Sequence, residues 1–168
     1  MQTLIENRKA TFNYTFVEQF NAGIELLGFE VKSLRKKQGS LEGSYIIMRG
    51  GEAYLIGAHI PPYQVGNTPK EYDERRNRRL LLTKKEIIHL TVIEGKKGLT
   101  IVPISVYNKG SKLKVDVAIA KGKKKFDKRE TLKKHDTMRD MARDLKDRWQ
   151  QKPDSPFGYK FEWIMNME

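Results

Sequence analysis

Four guanidiniums fall within the five residues Arg75-Arg-Asn-Arg-Arg79, and a planar guanidinium suits two-point contact with a phosphate or with a guanine edge. A merely soluble loop would mix in Lys and Glu. This one favours RNA contact through Arg75, Arg76, Arg78 and Arg79, directly ahead of the apolar Leu80-Leu-Leu82. A second cationic run, Lys121-Gly-Lys-Lys-Lys-Phe-Asp-Lys-Arg-Glu130, continues to Lys133 and Lys134. Each phosphate that a Lys or Arg neutralises releases condensed counterions, so this run reads either as an RNA grip or as a solvated basic linker. Charge alone does not choose between them. Phe12, Tyr14, Phe16 and Phe20 are able to stack unpaired bases. Aromatics alternating along a strand more commonly pack a core, which leaves two or three for a stacking rim.

Catalytic chemistry finds little to work with. His59, His89 and His135 fall in three different elements without metal-ligand spacing. Most carboxylates neighbour Lys or Arg, as solvated ion pairs do. The absence of cysteine excludes disulfides, thiolate zinc sites and thiol nucleophiles. No Gly-rich phosphate loop or nucleophile elbow is present, so the expectation is a non-enzymatic protein with neither cofactor nor metal.

The 168 residues carry 33 Lys and Arg against 21 Asp and Glu, a net charge of +12 that attracts polyanions. No apolar run approaches the roughly 20 residues that cross a bilayer, and Met1-Gln-Thr-Leu-Ile-Glu6 lacks a secretory layout. A cytoplasmic protein with an RNA partner and no membrane follows as the expectation.

Several elements have to position these groups. Thr11–Phe20 and Ile24–Glu30 read as strands around a turn at Asn21-Ala-Gly23, followed by a short basic helical turn from Val31 to Lys37. Tyr45–Arg49 and Glu52–Ile60 form a hairpin around Gly50-Gly51, whose tolerance of positive φ suits a primed turn. Pro61-Pro62 ends it, and residues 63–79 read as a loop. Thr83-Lys-Lys-Glu86 has the spacing of a capping box and starts a helix over about 84–94. Leu99–Tyr107 and Leu113–Ala120 pair as a second hairpin with Leu113, Val115, Val117 and Ile119 inward, and Pro103 requires an edge or a bulge. The expected fold is mainly β (α+β): a small antiparallel OB-like β-barrel over residues 1–120 with inserted short helices. Residues 121–168 form a basic tail, helical over about 136–151 with Met138, Met141, Ala142, Leu145 and Trp149 as a thin stripe, ordered mainly against a partner.

Specific strings go further than composition. Asn7-Arg-Lys-Ala10, Ala22-Gly-Ile24, Gly28-Phe-Glu-Val-Lys-Ser-Leu-Arg35, Arg79-Leu-Leu-Leu82, Lys97-Gly-Leu-Thr100 and the Lys121–Glu130 run, in that order and spacing, resemble the SsrA-binding protein (SmpB) family over about residues 7–150. The resemblance implies an RNA-binding barrel that holds the tRNA-like domain of transfer-messenger RNA. It also implies a tail entering the decoding site, lined by 16S rRNA, and the empty mRNA channel of a stalled ribosome, so that the nascent peptide is tagged in trans-translation. Elongation factor Tu would be met through the RNA, and the protein would act as a monomer. Asn7 and Leu81 match positions the family needs for RNA binding, and Arg8, Lys9, Glu30, Lys32 and Arg35 lie in the matching strings. Lys123, Lys124, Asp127, Lys128 and Arg129 match the tail motif, with Lys121, Lys125, Lys133, Lys134 and Arg139 as further decoding-site candidates.

Three positions depart from the family pattern: Asn21 stands where a glutamate linked to RNA binding is usual, Asn13 where an acidic residue is common, and Phe12 where many relatives carry histidine. An amide still hydrogen-bonds a base edge but supplies no charge, so the contact is altered rather than abolished. A general RNA-binding module without a decoding role is the competing reading.

Overall fold

The computed structural model describes residues 2–150, apart from 65 and 67. Along the chain run β1 (Gln2–Glu6), α1 (Arg8–Asn13), β2 (Tyr14–Ile24), α2 (Gly28–Arg35), β3 (Tyr45–Arg49), β4 (Glu52–Ile56), β5 (Arg78–Leu81), α3 (Lys84–Glu94), β6 (Leu99–Lys109), β7 (Lys112–Gly122) and α4 (Lys125–Gln150). The seven strands make one antiparallel sheet in the order β1-β6-β7-β2-β5-β4-β3. The OB-like α+β reading holds, but the sheet is not a closed barrel: β1 and β3 are its edges, and no ladder joins them among the described residues. β3 approaches β6, and α3 packs on both.

Each clear sequence signal has its counterpart. Gly50 and Gly51 take φ of 60° and 77°, the primed turn that lets β3 pair with β4. Thr83 and Glu86 close a reciprocal cap on α3, with Thr83 N–H donating to Glu86 Oε2 at 2.8 Å. Leu113, Val115, Val117 and Ile119 all turn inward on β7. Pro103 sits in β6 between two partners, and the ladder accommodates its missing donor by shifting register between Pro103 and Ser105.

The N-terminal third differs. β1 is additional to the predicted elements, and Arg8–Asn13 is a helix where the aromatic alternation predicts a strand from Thr11 onward. β2 continues through Asn21-Ala-Gly23 rather than turning there. Gly28–Arg35 is helical because its buried residues, Glu30, Ser33 and Leu34, recur at helical spacing. The strand expected over Ile24–Glu30 therefore stops at Ile24, and the helical turn expected from Val31 begins earlier, at Gly28. β4 stops at Ile56, with His59 kept in a single bridge to Ser40.

The core lies between the inner face of the sheet and helices α2 and α3, with Leu34, Leu55, Leu90, Val115 and Val117 fully covered. Truncating any such leucine to alanine removes about 2–5 kcal/mol. Two compact units result, Met1–Lys125 and Phe126–Glu168. The second begins within α4, which runs from Lys125 and thus starts earlier than the 136–151 span that the stripe predicts. Phe126, Met138, Met141 and Leu145 are exposed on it. Trp149's side chain and the Pro153–Glu168 segment lie outside the described residues. No helix among the described residues is long and apolar enough to cross a membrane.

Candidate nucleic-acid interface

Strand alternation sends one set of side chains into the core and the next to the outer face. On β2, Ala22 is buried while Asn21 is exposed; on β5, Leu80 is buried while Arg79 and Leu81 are exposed. Gly23 pairs directly with Leu81, and a Cβ added at Gly23 would meet Leu81 Cβ at 3.1 Å. The glycine therefore gives Leu81, more than half exposed, its seat against the sheet. Asn21 and Leu81, far apart in sequence, end up on one surface.

Lys114 and Asp116 of β7 share that surface, paired with Gly23 and Asn21. Beside it, an open hollow of about 270 Å³ is floored by Ile24, Leu26, Val31 and Leu81 and edged by Lys112 and Lys114. Arg35 reaches the same rim, its Nη2 donating to the Ser111 carbonyl at 3.2 Å, and Lys32 is exposed on α2. Arg79 is half exposed and pairs with Glu52 at 3.0 Å. Glu52 also accepts from the Tyr54 hydroxyl at 2.6 Å, which pushes that hydroxyl's pKa up. Arg75 is exposed.

Three of the residues expected to bind RNA, Asn7, Glu30 and Arg78, are interior. Glu30 and Arg78 have no exposed side-chain surface and are joined at 2.9 Å. Arg76 clamps the same carboxylate through Nε at 2.9 Å and Nη2 at 2.6 Å, the Tyr72 hydroxyl donates to it at 2.9 Å, and the Leu27 amide at 2.7 Å. Arg78 also reaches the carbonyls of Ala58, Glu74 and Arg76. Burial alone would push Glu30 up, but Arg76, the Leu27 amide, the Arg78 charge and Tyr72 together hold its carboxyl below the usual value. Burial and the Glu30 bond push Tyr72 up to about 12. The knot ties the 63–79 loop to α2, so half of the arginine cluster fastens the loop that displays the other half. Composition alone gives no signal that separates a buried arginine from an exposed one.

A second group gathers at α1. Asn7 is buried: its Oδ1 accepts from the Ala10 amide, and its Nδ2 donates to the carbonyls of Leu41 at 3.0 Å and Pro103 at 3.1 Å. It fixes helix, loop and strand together, while Arg8 and Lys9 project outward, Lys9 pairing with Glu42. Phe12 is half-buried on α1, and Tyr14 and Phe16 pack on Ala10, Val102 and Ala120. Lys123 returns to this corner, its ammonium donating to the Thr11 carbonyl at 3.1 Å. Lys121 and Lys124 are exposed nearby in the chain, as are Arg129 and Arg139 on α4; the side chains of Lys125, Asp127, Lys128, Lys133 and Lys134 lie outside the described residues. His59 lies 2.6 Å from Glu74 and His89 2.9 Å from Glu18, and no group of three or more His, Asp or Glu able to hold a metal occurs among the described residues.

These features define a small basic α+β protein with an open OB-like sheet, whose outer face mixes cations, an exposed leucine and amides, and whose chain continues into a basic helix. A family profile for SmpB protein matches residues 4–147. The chain is 46% identical over 147 residues to the SsrA-binding protein of Clostridium tetani, covering 88% of this chain and 94% of that one. It is 48% identical over 142 residues to that of Elusimicrobium minutum, covering 84% and 90%. A solved chain described as "tmRNA-SmpB: a journey to the center of the bacterial ribosome" matches with a TM-score of 0.62 at 40% identity, covering 74% of this chain and 87% of its own. The chain belongs to the SmpB family.

Proposed function

We propose that this protein binds transfer-messenger RNA and serves trans-translation, carrying that RNA to stalled ribosomes in the cytoplasm without catalysis of its own. The observation that carries the RNA-binding half is the meeting of Asn21, Gly23, Arg79 and Leu81 on one outer face, where strand pairing assembles them from two distant strings of the sequence. Their neighbours Lys112, Lys114 and Arg35 supply the positive rim that a phosphate backbone needs. The tRNA-like domain is the part of the RNA assigned to this face. Elongation factor Tu joins through the RNA.

The tail is assigned to the ribosome. Residues 121–134 hold eight Lys or Arg against two carboxylates, and a cationic helix suits the rRNA-lined decoding site and empty mRNA channel because phosphate contacts offset its ordering entropy. Its apolar residues Met138, Met141 and Leu145 are exposed, leaving a narrow stripe for the partner to cover.

The competing reading, a general RNA-binding module, is separated by specificity. Binding to transfer-messenger RNA and to an unrelated structured RNA of equal length is measured at physiological salt. The expected result is roughly a thousandfold preference for the former, at the low side of the gap of roughly 10³–10⁷ that separates specific from non-specific nucleic-acid binding; equal affinities would remove the proposal.

A further inference from the structure

On the outer face Asn21 of β2 stands directly across from Asp116 of β7, and Asp116 directly across from Ser105 of β6. Side chains so paired keep their Cβ atoms roughly 4.5–5.5 Å apart. Ser105 Oγ donates to Asp116 Oδ2 at 2.9 Å, and the Tyr107 hydroxyl donates to Asn21 Oδ1 at 2.8 Å. The tyrosine thereby occupies the amide oxygen of Asn21 and leaves its Nδ2 hydrogens without a protein acceptor among the described residues. Burial first, then the Asp116 charge and a hydrogen bond to that carboxylate, push the Tyr107 hydroxyl up, so it remains a donor at neutral pH. Asp116 enters no ion pair among the described residues, although the chain carries a net charge of +12.

Asn21, Tyr107 and Asp116 line an open hollow of about 260 Å³ with Thr3 and Lys109. Drug-sized ligands occupy roughly 300–1,000 Å³, so this one suits a single base. A phosphate does not belong beside an unpaired carboxylate. The fitting group offers one acceptor followed by two donors, which the amide N–H and the two carboxylate oxygens complete.

We propose that Asn21 and Asp116 read the Watson–Crick edge of one unpaired guanine in the bound RNA, an inference that rests on the RNA-binding reading above. Guanine presents O6 as acceptor and then N1–H and N2–H₂ as donors. Asn21 Nδ2 donates to O6 while Asp116 accepts from N1 and N2, a two-point carboxylate contact of the kind that gives geometric selectivity. The pair imitates the edge of cytosine. Cytosine itself would set two acceptors against the carboxylate, uracil one, and adenine would set a donor against the amide. Lys109, exposed at the rim, is placed for the phosphate of the same nucleotide.

The test uses the full chain and a transcript of the tRNA-like domain in which phosphorothioate-tagged inosine is scattered among the guanosine positions, with tagged guanosine as control. Inosine keeps O6 and N1–H but lacks the N2 amino group. With the unmodified protein, inosine at one unpaired guanosine is expected to be depleted severalfold from the bound fraction. With Asp116→Asn that depletion disappears, and affinity for the natural transcript falls on the order of tenfold, even though the loss of a negative charge favours non-specific binding. Asn21→Asp, which sets an acceptor against O6, is expected to weaken the same contact while Asp116 still senses N2. Identical interference patterns for the unmodified and Asp116→Asn proteins, or no depletion in either, would overturn the guanine assignment while leaving RNA binding intact. Failure of the unmodified chain to bind the transcript at all would instead bring down the parent reading, and this one with it.

Discussion

Glu30 shows how one buried carboxylate decides what its neighbours do. With no exposed side-chain surface, it collects two guanidiniums, a hydroxyl and a backbone amide. Removing one partner of such a buried pair strands the other charge, so Glu30→Ala is expected to destabilise the folded unit by about 3–5 kcal/mol in urea unfolding. The pH dependence follows from the direction of the shift. The folded carboxyl titrates below its ordinary value of 4.5, so its stabilisation is present above that value and is lost as pH falls through the lower folded value. Glu30→Gln is expected to flatten this part of the acid limb; an acid limb identical to that of the unmodified protein would place the stabilisation elsewhere.

At the scale of elements, β7 and α4 divide the basic C-terminal segment between two tasks. β7 pairs with Tyr14 as far as Gly122, and Lys123 ties back to α1 through both its amide and its ammonium. Lys121 and Lys123 thus belong to the unit Met1–Lys125 that carries the sheet, and the cut that isolates the tail lies after Lys125. A chain ending there is expected to keep its affinity for transfer-messenger RNA within about threefold and to lose tagging of stalled peptides in a reconstituted translation system. Normal tagging by the shortened chain would refute the tail assignment. Elements were legible where one local signal dominates, as in the Gly50-Gly51 hairpin, the Thr83–Glu86 cap and the alternation of Leu113 to Ile119. They were not legible in α1 or in the first turn of α2, whose later part the helical turn read from Val31 had anticipated. There an apolar, aromatic run satisfies a strand pattern, and the choice of helix rests on long-range bonds: Asn7 to Leu41 and Pro103, Glu30 to Arg76 and Arg78. Of the candidate site, Asn21, Leu81, Arg75 and Arg79 could be singled out in the sequence, the inward turn of Arg76 and Arg78 could not, and Asp116 gains meaning only from the register that sets it across from Asn21.

For the molecule as a whole, positive charge is sorted into an interior and an exterior share, and the two respond differently to salt. A net charge of +12 draws RNA to the entire surface, yet only cations that displace counterions where they meet phosphate set the slope of log K against log salt. Arg75 and Arg79 are exposed, while Arg78 is spent on Glu30 and three backbone carbonyls. Replacing Arg75 and Arg79 together by alanine is therefore expected to reduce the slope by up to about 2, near 1 for each phosphate no longer neutralised. The reduction is smaller if Glu52, released from Arg79, repels the backbone that approaches. Arg78→Ala is expected to do the opposite: lower the thermal midpoint through the stranded Glu30 and, in the folded fraction, leave the slope unchanged. Salt titrations of transfer-messenger RNA binding by the two variants, paired with melting curves, separate the shares. An unaltered slope in the Arg75/Arg79 variant would put the loop away from RNA, and a shallower slope in Arg78→Ala would mean that the buried knot opens on binding to release its guanidinium.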